Sequence, residues 1–363
     1  MTGRVAVYTG PRQPLEIREY PVPDPEPGCL LIRMSQANLC GSDLHFWRGH
    51  GPFPPERPVV LGHEGVGRVA ALGKGVTTDN LGRPLREGDR VVYSYFKPCG
   101  RCWSCVRGQG ACPTRNRDWI GRGAPEPPHF HGTYGDYHYL FPGHWVYRVP
   151  DELPDELVSP VNCALSEVVY ALDRGRVSLG DTVVVQGCGG LGLYACAVAR
   201  ELGAAHVVAI DRIPARLDLA REFGADVTLD ATQTTTDDRL AVVNDLTGGI
   251  GADLVIELVG SPAVLPEGIQ LLRPAGTYLW VGNIGLGRSV EIEPAQVVRL
   301  HKSILGIIAY HQWAIPRALD FLVRTRDRYP FARIISHRFP FEAVNDAFAV
   351  ADRGECIRAT LTF

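Results

Sequence analysis

Four of the chain's ten cysteines lie in one short stretch, spaced Cys99-x2-Cys102-x2-Cys105-x6-Cys112. Four thiolates at such gaps supply the tetrahedral sulfur shell that zinc favours, and the short gaps keep the entropy of closing the loop small. The x2 gaps strain disulfide geometry, and a shell made wholly of cysteine leaves zinc no open position for a reactant. The stretch 97–113 therefore reads as a structural zinc loop. Three other segments carry a different mix of donors: Cys40-Gly41-Ser42-Asp43-Leu44-His45, Gly62-His63-Glu64 and Asn162-Cys163. Two sulfurs and one imidazole make a recognised catalytic zinc set, whose fourth position is left to a reactant. These donors are far apart in the chain, so only the fold can bring them together.

A third constellation concerns phosphate. Val183 to Gln186 read as a strand, and Gly187-Cys188-Gly189-Gly190-Leu191-Gly192 follow as Gly-x-Gly-x-x-Gly at the start of a helical pattern. Gly187 permits the tight turn, Gly189 lets the backbone approach a pyrophosphate, and Gly192 lets helix and sheet pack closely. The phosphates would meet the free N–H groups of the helix N-terminus. The next strand ends at Asp211, where a carboxylate bonds a ribose 2′-hydroxyl and repels a 2′-phosphate, which favours NAD. Arg212 beside it is the feature that would tolerate NADP. Val281, closing the run Thr277 to Val281, is counted with the cofactor-binding residues.

Two kinds of element must position these groups. The first part of the chain reads as short strands split by Gly and Pro, at Val5 to Tyr8, Leu30 to Met34, Val66 to Ala71 and Arg90 to Tyr93. From Val161 onward, apolar β-branched runs alternate with helical patterns, giving six strands of a parallel sheet covered on both faces. The tail adds a helix near Trp313 to Arg324 and a strand Ile357 to Phe363. Between Cys112 and Tyr147 the density of Pro, Gly, His and aromatics suggests ordered loops around a cleft. His50, His129, His131, His138 and His144 there and nearby read as pocket lining or exposed, and Cys29, Cys188, Cys196 and Cys356 as structural. With 363 residues the chain has room for two domains. Lys plus Arg number 37 against 40 Asp plus Glu, for a net charge of −3, so no basic surface offers nucleic acid a site. No apolar run reaches the ~18 residues of a membrane span, and Met1 to Tyr20 lack a charged leader ahead of an apolar core. The expectation is a cytoplasmic enzyme.

The ordered set CGSDLH, GHEGVG, GDRV, the CxxCxxC cluster, the glycine fingerprint with its Asp, and the ending IRATLTF is similar to the zinc-dependent medium-chain alcohol dehydrogenase family across essentially the whole chain. The resemblance implies an α/β chain with a Rossmann doubly wound parallel sheet (161–306) and a β-rich GroES-like catalytic domain made from both chain ends (1–160 and 307–363). It implies that Cys40, His63 and Cys163 bind a catalytic zinc, that Glu64 lies just behind the metal and assists ligand exchange, and that Asp43 orients His63. Ser42 matches the hydroxyl that takes the substrate proton, and His45 the outer relay residue. Arg358 falls where relatives contact the pyrophosphate, and Tyr95 where an aromatic ring lines the substrate pocket. Relatives are usually homodimers or homotetramers. Two positions depart from the family pattern: the last cysteine gap is six residues rather than seven, and Glu167 stands where relatives place a threonine.

The implied activity is oxidation of a primary or secondary alcohol to an aldehyde or ketone with NAD. Zinc lowers the pKa of a bound hydroxyl so that an alkoxide forms near neutral pH and releases hydride to the nicotinamide. Aromatic side chains at Trp47, Tyr95, Trp119 and Phe130 suit a bulky, apolar or cyclic small-molecule alcohol or ketone. A polyol or amino-alcohol dehydrogenase is the second enzymatic reading, against which Cys163 weighs, since those relatives commonly use glutamate as third ligand. A zinc-containing, NAD-sensing binding protein is the reading from another class, and it would need no Ser42–His45 proton path.

Overall fold

The β-branched runs from Thr182 onward close into one parallel sheet in the computed structural model, which describes residues 1–108 and 110–363. Across the sheet the order is Val227–Asp230, His206–Asp211, Thr182–Gln186, Ala252–Glu257, Leu272–Trp280 and Ser303–Gly306. The chain enters at the central strand, winds outward to one side, then returns and winds outward to the other. That reversal opens a crevice at the carboxyl ends of the strands, where sheets of this kind bind ligands. Helices Gly190–Glu201, Pro214–Glu222, Thr236–Thr247 and Leu265–Leu271 make the crossovers. Val183, Val184 and Val185 are fully buried, as residues pointing to both faces of a covered strand must be.

The chain divides into two compact units: Met1–Ser166 with His311–Arg326 and Phe331–Phe363, and Glu167–Tyr310 with Asp327–Pro330. The seams expected at 160/161 and 306/307 fall a few residues before these. At the first seam the π-helical turn Val161–Leu165, buried at all five positions, packs on strand Glu64–Leu72 and helix Ala314–Thr325 of the first unit. Residues 327–330 join the second unit because the Tyr329 ring stacks on Phe223 and its hydroxyl donates to Glu201 at 2.8 Å.

The first unit holds a three-stranded sheet (Glu16–Pro21, Thr2–Tyr8, Val59–Val60) and a seven-stranded one. The larger runs His337–Pro340, Ala359–Thr362, Leu30–Asn38, Glu64–Leu72, Arg90–Tyr93, Val146–Arg148, with Tyr137–Leu140 paired to the first half of Leu30–Asn38. The last strand of the chain thus lies beside one of the first, and both chain ends build this unit. Its core gathers Ile32, Val91, Tyr93, Tyr134, Phe348 and Leu361. The sequence reading missed Glu16–Pro21, a polar edge strand with exposed and half-buried positions in place of an apolar run. Three of the histidines expected as pocket lining or exposed are not exposed. His131, His138 and His144 are buried, with His131 donating to the Glu126 carbonyl at 2.7 Å and His144 to that of Ser94 at 2.7 Å. Among the described residues no helix is long and apolar enough to cross a membrane.

Candidate metal centres and dinucleotide cleft

Strand register explains how donors distant in sequence meet. Strands Leu30–Asn38 and Glu64–Leu72 are antiparallel, with Asn38 opposite Glu64. Cys40 therefore leaves the sheet at the same end at which His63 enters it. The final strand pairs Thr360 with Asn38, which brings Arg358 to that end too. The buried turn Val161–Leu165 contributes Cys163. Donor atoms of Cys40, His63, Glu64 and Cys163 all lie within 4.8 Å of one another.

The side chains around this set fix its orientation. Asp43 Oδ1 accepts from His63 Nδ1 at 3.2 Å and from the Gly62 N–H at 3.2 Å, and its Oδ2 accepts from the Cys40 N–H at 3.0 Å. With Nδ1 donating, Nε2 of His63 is free to ligate, and Ser42 Oγ lies 3.4 Å from it. Ser42 and His45 share the short helix Gly41–His45, three residues apart, and the His45 ring is 6.4 Å from that of His50. Asn162 ties the Cys163 segment to the His63 segment: its Oδ1 accepts from the Gly65 N–H at 3.1 Å and its Nδ2 donates to the His63 carbonyl at 3.2 Å. Arg358, 4% exposed, is ion-paired with Glu64.

The electrostatics favour positive charge at the centre of the set. Hydrogen bonding to Cys163 holds Cys40 well below the ordinary thiol range. Burial works to lower the basicity of His63, but Asp43 and Cys40 overcome it and hold the imidazole well above its usual range. Burial pushes Glu64 up to about 7 against the pull of Arg358. Two sulfurs and a nitrogen in a buried, electronegative pocket are the donor set of a zinc site with room for one more ligand.

The second cluster is local. Cys99, Cys102, Cys105 and Cys112 also bring their sulfurs within 4.8 Å of one another. The Cys102 N–H donates to Cys99 Sγ at 3.3 Å, Cys105 N–H to Cys102 Sγ at 3.4 Å and Cys99 N–H to Cys112 Sγ at 3.4 Å. Backbone donors from Arg101 and Cys102 lower Cys99 to about 6, while burial raises Cys105 to about 12. The Cys99 and Cys105 sulfurs are 4.0 Å apart, close to the about 3.8 Å that tetrahedral Zn–S bonds of about 2.3 Å require. No disulfide forms among the described cysteines. The six-residue final gap thus still closes a four-sulfur shell.

In the second unit the glycines of the turn differ in their surroundings. Gly187 has φ +95°, and a Cβ on Gly192 would meet the Gly187 carbonyl oxygen at 1.9 Å. A Cβ on Gly189 would meet nothing within 4 Å, which leaves its backbone open to a ligand. Helix Gly190–Glu201, whose first turn holds Gly190, Leu191 and Gly192, starts without a side-chain cap, so its leading N–H groups are free for an anion. Gly187, Gly189, Asp211 and Arg212 line a cleft of about 460 Å³. Asp211 accepts from the Cys188 N–H at 2.6 Å, the Arg212 N–H at 2.7 Å and the Ile213 N–H at 2.9 Å. Val281 is buried just beyond strand Leu272–Trp280, its N–H on the Glu257 carbonyl at 3.2 Å. Glu167 turns to the Ala309 N–H at 2.8 Å.

Of the aromatics singled out from sequence, Tyr95 and Trp119 stand against the His63 ring, at 4.7 and 5.0 Å. Trp47 and Phe130 do not. Trp47 packs on Phe348 and donates to the Gln13 carbonyl, and Phe130 is buried beside Val5 and Tyr137. Phe46, 5.9 Å from Trp119, was missed because it continues the Cys40 helix with no motif of its own. Tyr134 was missed too; burial and the nearby Asp43 carboxylate keep its phenol well above the usual range, so it acts as a donor.

Residues 190–324 match the zinc-binding dehydrogenase family, and residues 26–151 the alcohol dehydrogenase GroES-like domain. The chain is 36% identical to 5-exo-hydroxycamphor dehydrogenase of Pseudomonas putida over 96% of its length and 95% of that protein. It is 32% identical to sorbitol dehydrogenase of Gallus gallus over 96% of its length and 93% of that protein. An alcohol dehydrogenase from Thermotoga maritima superposes with a TM-score of 0.94 at 32% identity, covering 100% of this chain and 99% of that one. Matched in sequence and fold along almost its whole length, the chain belongs to the zinc-dependent medium-chain alcohol dehydrogenase family, oxidoreductases acting on CH–OH groups of small molecules.

Proposed function

We propose that this chain, with one catalytic and one structural zinc and with NAD, oxidises a primary or secondary alcohol of bulky, apolar, cyclic body to the aldehyde or ketone. The observation that carries the reading is the aromatic wall of Tyr95 and Trp119 against the His63 ring. Such rings offer wide apolar contact to a cyclic body and little to the extra hydroxyls of a polyol. The relative named for 5-exo-hydroxycamphor supports a cyclic substrate.

Cys40, His63 and Cys163 would hold the catalytic zinc, and Cys99, Cys102, Cys105 and Cys112 the structural one. Bound at the first set, zinc supplies the Lewis acidity that makes a substrate hydroxyl more acidic. Ser42 Oγ accepts the hydroxyl proton, and His45, one helical turn on, carries it toward solvent. Asp43 fixes the tautomer of His63 and aims Nε2 inward. Glu64, balanced by Arg358, stands ready for ligand exchange. The turn Gly187 to Gly192 holds the pyrophosphate and Asp211 the adenine ribose, which selects NAD over NADP. In the net reaction alcohol and NAD+ give carbonyl, NADH and one proton.

The test is a panel of cyclic, linear and polyhydroxylated alcohols followed by NADH absorbance, with chelator-stripped protein as control. Turnover of cyclic apolar alcohols that is lost on stripping is the expected result. A preference for polyols, or full activity after stripping, would overturn the proposal.

A further inference from the structure

We propose that Tyr134 is a positioning residue for the catalytic metal centre, acting through Asp43; the inference rests on the reading of Cys40, His63 and Cys163 as zinc ligands. The Asp43 carboxylate is fully buried. It binds the Cys40 backbone on one oxygen and the Gly62 backbone and the His63 ring on the other. A single carboxylate thus joins the two segments that bring Cys40 and His63 together. The Tyr134 hydroxyl reaches the same Oδ2 as Cys40, at 2.8 Å, and also lies 3.2 Å from the Asn38 carbonyl. A phenol has one proton to give, and the shorter, charge-assisted contact takes it. Tyr134 is itself anchored beside His63: its N–H donates to the Leu61 carbonyl, and the Thr133 N–H donates to the Gly62 carbonyl at 3.0 Å. Its ring packs edge-on against Phe348 at 5.9 Å. The hydroxyl therefore holds the plane of a carboxylate whose other oxygen sets the angle of the His63 imidazole.

A buried carboxylate that loses one of its donors rotates to regain one, and the imidazole hydrogen-bonded to it turns with it. Direct partners of a metal-bound histidine typically change metal affinity by ~10- to 100-fold. Tyr134 acts one bond further out, so its removal should speed zinc loss by about 3- to 10-fold.

The experiment compares wild type with Tyr134→Phe, which keeps the ring and its packing. Zinc release into a coloured chelator is followed, together with the visible bands of protein carrying cobalt at the catalytic set. Expected are one zinc released faster, the other at the wild-type rate, and shifted cobalt bands. A purely structural hydroxyl would lower the melting temperature and leave the bands alone. In an Asp43→Asn background, Tyr134→Phe should add nothing, because coupled residues are non-additive. Unshifted bands with wild-type release of both metals, or full additivity with Asp43→Asn, would overturn the role of Tyr134. Metal content separates this failure from the deeper one: a wild type holding a single zinc that survives Cys40→Ser would remove the metal-centre reading itself.

Discussion

In the loop 97–113 the Cys99 and Cys102 sulfurs accept from N–H groups three residues on, the Cys112 sulfur accepts from the Cys99 N–H across the loop, and Cys99, Cys102 and Cys105 remain partly exposed. Cys40, His63 and Cys163 are instead far apart in the chain. The donors come from a strand exit, a strand entry and a π-helical turn; Asp43, three residues after Cys40, holds the His63 ring, Asn162, beside Cys163, holds the His63 segment, and His63 and Cys163 are buried. A local shell carries its geometry in its spacing and can form as soon as the loop closes. An assembled set inherits its geometry from sheet register and is only as exact as the buried network behind it. The first design suits a metal that braces, the second a metal that must hold an open position.

Substitution of one sulfur in each cluster gives the largest expected contrast. Cys163→Ala should lower kcat/KM on the order of 10³-fold, since on the proposed reading it removes a ligand from the centre that stabilises developing charge. Its circular dichroism and melting temperature should stay near wild type. Cys102→Ser should do the reverse, freeing one zinc and opening the loop 97–113 to protease while turnover by the folded protein persists. Equal activity losses in the two variants would erase the distinction.

The contrast also explains what could be read in the sequence. The four-cysteine loop and the glycine turn were legible because the residues each one brings together are near in sequence. The parallel sheet was legible because strands buried on both faces must be apolar throughout, as Val183 to Val185 are. Cys40, His63 and Cys163 could be joined only through family resemblance, because no spacing encodes the pairing of Asn38 with Glu64. Tyr134 and Phe46 carry no motif, and their roles come from what surrounds them. That His131, His138 and His144 are buried was not legible, because nothing local in a stretch dense in Pro, Gly and His shows which of its side chains the first unit packs inside.

Those histidines set the next largest effect. Burial holds His131 and His144 each at about 4. Each donates through one ring nitrogen to a carbonyl and leaves the other, a buried lone pair, without a partner. The folded form therefore refuses a proton that the unfolded chain accepts below about pH 6.5. The stability from each neutral ring is complete above that pH and is lost as pH falls toward 4, by at most about 3 kcal/mol per ring. Denaturant unfolding between pH 4 and 7 measures the slope. His144→Gln should flatten it with both metals retained, and an unchanged slope would assign the acid sensitivity to the metal ligands instead.

The smallest effect compares one hydrogen bond in each surrounding. Asn162 serves a buried donor and a buried acceptor, the Gly65 N–H and the His63 carbonyl. Ser104 in the cysteine loop serves the exposed Ala111 N–H at 3.1 Å. Water can replace the Ser104 hydroxyl but cannot reach the partners of Asn162, so the truncations should differ although each removes side-chain hydrogen bonds to the backbone. Asn162→Ala should cost about 1–3 kcal/mol and loosen the catalytic set, because buried polar groups left unpaired bear their full desolvation penalty. Ser104→Ala should shift the urea midpoint barely at all. Comparable shifts for the two would mean that the assembled centre is no more dependent on its buried network than the loop is on its exposed one, and the contrast between them would reduce to sequence distance alone.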